Sequence, residues 1–160
     1  MRWIGFLLIA ITLNYIRVQY VARAKESVLE CEEIFSFISL LQIEIGCYLK
    51  PISKIAEAYS SPILERCGFL PSLRAGEGAY TAFLSSCGTL SFSEEESALI
   101  AAAFYTLSEG DIHDGTEALA HAAGRLEEIL SELKGRCKRD IKLASTLSVT
   151  LTLGVLLLLI

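Results

Sequence analysis

His113 and His121 are the two histidines of this 160-residue chain, and the short run Asp111-Ile112-His113-Asp114 clusters one of them with two carboxylates, the pairing that acid–base or metal chemistry would need. A zinc site needs three or four Cys, His or carboxylate ligands at a closable spacing, and a helical metalloprotease site needs His-Glu-x-x-His. Neither pattern is present. The histidines stand eight apart with no cysteine pair beside them, and Asp111, His113 and Asp114 read most plainly as a helix C-terminus followed by an Asp cap. Cys31, Cys47, Cys67, Cys87 and Cys137 are scattered, odd in number and without a Cys-x-x-Cys pair. Such usage fits small core thiols in a reducing compartment. Gly76 and Gly78 are not followed by Gly-Lys-Ser/Thr, and Gly135-Arg136-Cys137-Lys138 lacks the phosphate-loop spacing and hydroxyl. The residues therefore offer no catalytic, cofactor-binding or metal site, and the expected protein is not an enzyme and takes no small-molecule substrate.

One carboxylate stands out. Glu44 lies between Ile43 and Ile45 in an otherwise apolar segment. It is either a functional acid at a subunit contact or, more simply, an acid satisfied by an inward Lys, Arg or backbone amide, because buried charges are normally paired.

The elements that carry these residues read as helices. Pro is confined to Pro51, Pro62 and Pro71, and no run alternates with period two for long enough to make a sheet. From Lys25 to Leu49 nearly every face is apolar between Ile34 and Ile45, which predicts a central helix covered on most sides. A short helix follows Pro51, another runs from Ser61-Pro62 to Gly68, and a fourth covers Ala75 to Ser86. Ser93-Glu94-Glu95-Glu96 is a capping box with three carboxylates at the positive end of the dipole, opening a helix through Leu107 that Gly110 closes. The last helix begins near Asp114 and places Leu119, Ala122, Leu126, Ile129 or Leu130, Leu133 and Cys137 on one stripe. The fold class expected is all-α, a bundle of about six helices between two terminal transmembrane helices.

Those terminal helices are read from the chain's two ends. Leu143 to Ile160 carries no charge, and eighteen helical residues rise about 27 Å, close to the hydrocarbon thickness of a bilayer. Lys134, Arg136, Lys138, Arg139 and Lys142 precede it and predict a cytoplasmic side there. Trp3 to Ala22 repeats the pattern more weakly, spanning only if Arg17 snorkels. The competing reading, a cleaved signal peptide ending at Ala22-Arg23-Ala24, is disfavoured because about ten residues including Arg17 separate the apolar run from the site. The domains expected are 3–22 as an N-terminal span, 25–140 as a cytoplasmic acidic bundle, and 143–160 as a C-terminal span. Nothing breaks the helix between the bundle and either span, so both spans are expected to continue into it as long stalks.

Charge follows the same division. Residues 26–133 contain eighteen acidic against five basic side chains, a balance of −13, while the whole chain is −5. An acidic bundle argues against nucleic acid as a partner. The juxtamembrane cations should meet anionic membrane lipid.

Leu41-Gln42-Ile43-Glu44-Ile45 with Tyr48 and Pro51-Ile52, the Phe92-Ser93-Glu94-Glu95-Glu96 opening, the Leu107 to Asp111 turn and the Gly154-Val155-Leu156 core of the terminal span occur here in order. In this order and spacing the chain resembles the stage III sporulation protein AB family of endospore-forming bacteria. It departs at the turn, where Ser108 replaces a family Gly and Gly115 replaces a Gln. The resemblance implies a helical domain similar to the cytoplasmic domains of type II secretion F proteins. It implies a non-enzymatic membrane component of the sporulation channel between mother cell and forespore, in the outer forespore membrane with its domain in the mother-cell cytoplasm. The implied partners are the ATPase, stage III sporulation protein AA, and the other channel proteins. Two other readings stand beside it: a generic pilus or secretion-system scaffold unrelated to sporulation, and an enzyme or sensor whose site is completed by a partner.

Overall fold

A computed structural model of the chain describes the backbone of residues 2–159 and the side chains of 11, 12, 14–151, 153 and 154. Among the described residues there are seven α-helices and no strand: α1 (Arg2–Tyr48), α2 (Ile52–Ala58), α3 (Pro62–Arg66), α4 (Phe69–Arg74), α5 (Ala79–Cys87), α6 (Glu94–Glu109) and α7 (Ile112–Leu159). The all-α class is as expected. The chain divides into two compact units, one of Met1–Val28 with Glu132–Ile160 and one of Leu29–Ser131.

Local chemistry explains most helix ends. Ser61 accepts a hydrogen bond from the Leu64 N–H at 3.2 Å, with Pro62 in the first turn of α3. At α6 the capping box is complete: the Glu96 N–H donates to Ser93 Oγ (3.3 Å) and the Ser93 N–H donates to Glu96 Oε2 (2.7 Å). Gly110 closes α6 by donating to the Thr106 carbonyl at 2.8 Å. Helix α1 ends by a different device. The Lys50 N–H returns to the Glu44 carbonyl (3.3 Å) across Leu49, which takes φ of 51°, a left-handed position usually given to glycine.

The 29–131 unit is built on an aromatic core. Phe37, Phe69, Phe83 and Phe104 are fully buried. The Phe69 ring lies 5.6 Å from Phe37, 6.0 Å from Phe83 and 5.5 Å from Phe104, and Phe83 meets Phe104 at 5.6 Å. Around them pack Ile100 from α6 and Leu119, Ala122, Leu126 and Leu130 from α7, so Leu130 rather than Ile129 completes the α7 stripe.

Three sequence expectations change here. The Lys25 to Leu49 segment is not covered on most sides. Cys31, Ile34, Phe37, Ile38, Leu41 and Ile45 form one buried stripe at helical spacing, whereas Leu29 and Ile43 are 49% and 55% exposed. The neighbouring helices pack against one side only, and composition alone does not reveal which side. The expected fourth helix, Ala75 to Ser86, is α5 and starts later, at Ala79, and an unexpected short helix, α4, precedes it with Pro71 in its first turn, where proline's missing N–H costs nothing. Gly68, with φ of 88°, turns the chain between α3 and α4. Finally, α7 starts at Ile112, so Asp114 stands in its first turn instead of capping it.

The unit of Met1–Val28 and Glu132–Ile160 contains the outer parts of α1 and α7, each continuous with the part in the other unit, as expected of the stalks. Among the described residues no helix is long and apolar enough to cross a membrane. The expected spans 3–22 and 143–160, whose side chains at 3–10, 13, 152 and 155–160 lie outside the described residues, are therefore not supported by the structure.

Candidate functional site

In the 29–131 unit, α6 and α7 form a groove of about 390 Å³ with Leu99, Ala102 and Ala103 on one side and Asp114, Glu117, Ala118 and His121 on the other. The helices can approach closely because of Gly115. A Cβ there would meet Leu107 Cδ1 at 2.9 Å and Leu107 Cα at 3.0 Å. Any side chain at 115 would require Leu107 to shift.

The groove regroups the residues that the sequence put forward. Asp114, Glu117 and His121 follow one another at i, i+3 and i+7 on α7 and line one wall. Asp111 and His113 do not line it, so the expected Asp111, His113, Asp114 cluster is split by the helix start at Ile112. Among the described residues no three His, Cys, Asp or Glu side chains lie close enough to hold a metal ion. A shallow, small-residue groove edged by two carboxylates can receive a basic surface. The i, i+3, i+7 spacing was available in the sequence once α7 was known to begin at Ile112.

Glu44 has a partner within reach. The turn after α1 brings the Lys50 ammonium to Glu44 Oε2, and the same Nζ lies 5.4 Å from the centroid of the Tyr48 ring. The Glu44 contact is ionic, since this oxygen accepts no well-aligned hydrogen bond. Of the three acids opening α6, Glu96 is half-buried and engaged in the capping box, while Glu94 and Glu95 are exposed.

Several polar residues that the sequence did not single out hold the unit together. Buried Glu30 accepts the Ser91 N–H at 2.8 Å and so pins the α5–α6 connection to α1. Arg74 donates from Nε to the Ala56 carbonyl (2.9 Å) and from a terminal nitrogen to the Tyr59 carbonyl (2.8 Å) and Glu65 (3.1 Å), satisfying the open end of α2. The Tyr59 hydroxyl donates to Glu33 Oε2 at 3.1 Å. Burial, and then the adjacent Glu33 carboxylate, push this phenol up to about 12. These are long-range contacts between sequence-distant positions, and no local pattern signals them.

Electrostatically the two units differ in sign. Residues 1–28 and 132–160 hold nine basic and three acidic side chains, a balance of +6; residues 29–131 hold five basic and sixteen acidic, a balance of −11. Together they make the −5 of the chain.

The family model of stage III sporulation protein AB matches residues 2–160, essentially the whole chain. The chain belongs to the stage III sporulation protein AB family. Membership connects it with sporulation, and this is a family of sporulation proteins with no known enzymatic activity. Comparison with the curated proteins and with the solved structures gives no match.

Proposed function

We propose that this chain is a non-enzymatic membrane component of the channel between mother cell and forespore, coupling a cytoplasmic secretion-type ATPase to the other channel proteins. In this reading the two termini anchor it in the outer forespore membrane and the 29–131 unit lies in the mother-cell cytoplasm. The anchors are supported by sequence: Leu143 to Ile160 is uncharged, and the basic residues cluster just before it. The observation that carries the coupling is the charge division, −11 against +6, together with a groove whose wall presents Asp114 and Glu117. An acidic surface attracts a basic partner over about one Debye length, 8 to 10 Å at physiological salt, and fixes its register on contact. The ATPase the family resemblance implies is stage III sporulation protein AA.

The test is binding of the full chain, in detergent micelles, to that purified ATPase as ionic strength is raised. Affinity should fall with salt. It should fall further in the Asp114→Asn, Glu117→Gln double variant than in the Glu94→Gln, Glu95→Gln double variant, which leaves both the groove and the Glu96 cap intact. Salt-independent binding, or ATP hydrolysis by this chain alone, would remove the coupling model.

A further inference from the structure

A second groove, of about 380 Å³, lies within the Met1–Val28 and Glu132–Ile160 unit, between the outer parts of α1 and α7. Its walls are apolar along Ile16, Leu143, Leu147 and Leu151, and Arg17 lies at one end beside Tyr20 and Asp140. The Tyr20 hydroxyl donates to Asp140 Oδ2 at 3.4 Å. Arg17 itself has no ion pair among the described residues. A guanidinium held against an apolar groove is costly unless an anion meets it, and its planar fork matches the oxygens of a phosphate. Arg23, Lys25, Lys138, Arg139 and Lys142 add to the positive field of this unit, whose balance is +6.

The groove's length and the cation at its end suit a single acyl chain with an anionic headgroup. From Asp140 to Leu151 is about 16 Å of helix, close to one leaflet's hydrocarbon depth of about 15 Å. We infer that this groove seats one acyl chain of an anionic phospholipid, with the headgroup phosphate on Arg17. The inference rests on the membrane reading above and adds to it a defined lipid site.

The full chain reconstituted into vesicles containing a phosphatidylglycerol with a photoreactive acyl chain tests it. Adducts should concentrate on Leu143, Leu147 and Ile16 over Val18 and Val149, which are exposed but do not line the groove. Excess unlabelled phosphatidylglycerol should compete, and phosphatidylcholine should not. Arg17→Gln should lower the adduct yield several-fold with helix content unchanged, whereas Arg23→Gln should keep most of it. Uniform labelling without headgroup preference in a chain that floats with the vesicles overturns the lipid site and leaves the membrane reading in place. A disulfide between two copies carrying Leu147→Cys puts a helix in the groove and also overturns it. A chain that fails to float with the vesicles defeats both readings.

Discussion

Replacing Phe69 tests the architecture at its centre, since this side chain on a six-residue helix is fully buried and touches three other phenylalanine rings. Truncation to alanine removes a whole buried ring and leaves a cavity, which costs about 3–5 kcal/mol in protein cores. Each ring pair adds about 0.5–1.5 kcal/mol beyond area burial, so with three pairs Phe69→Ala belongs at the upper end of that range. A domain holds only about 5–15 kcal/mol in all, and this variant will stand near unfolding. Phe69→Leu keeps most of the volume but loses the ring pairs, with an expected cost of about 1–3 kcal/mol. Ile43→Ala on the exposed face of α1 should cost within about 0.5 kcal/mol. The assay is denaturant unfolding of the full chain in detergent, followed by near-ultraviolet circular dichroism, which reports the packing of these rings. If Ile43→Ala proves as damaging as Phe69→Leu, α1 is covered on both sides and the one-faced packing is wrong.

Glycine substitutions on α7 should change stability in opposite directions. Gly124→Ala, with nothing within 4 Å of its Cβ position, should stabilise by about 1 kcal/mol through helix propensity, while Gly115→Ala should destabilise because its Cβ meets Leu107; chemical denaturation compares them. Tyr59 gives a pH signature. Its folded-state value near 12 exceeds the ordinary 10, so the neutral phenol is favoured by folding. The stability it contributes is complete below pH 10 and is lost as pH rises through 10 to 12. Titration of tyrosine absorbance should show one phenol ionising last, and Tyr59→Phe should remove that step; an unchanged titration would contradict the Glu33 contact.

The sequence alone was sufficient wherever the deciding interaction is short in range. Ser93 to Glu96 opens α6 because cap and carboxylate are three residues apart, and Ser61-Pro62 opens α3 for the same reason. The absence of strand patterning predicted the helical class, and the division of acid from base along the chain survives as the opposite signs of the two units. Tertiary packing decided the rest. It determined which face of α1 is buried, because apolar residues occur on both faces and only the positions of α4, α5, α6 and α7 distinguish them. It made α4 a helix despite Pro71, since burying Phe69 among three rings outweighs the weak intrinsic helicity of six residues. The same holds at Glu44, whose cation arrives only because Leu49 accepts a left-handed backbone that its side chain disfavours. It also assembled Asp114, Glu117 and His121 against α6, with Gly115 allowing the approach. Caps and charge runs act between neighbours along the chain, whereas burial and groove formation depend on surfaces that meet only after the helices have packed.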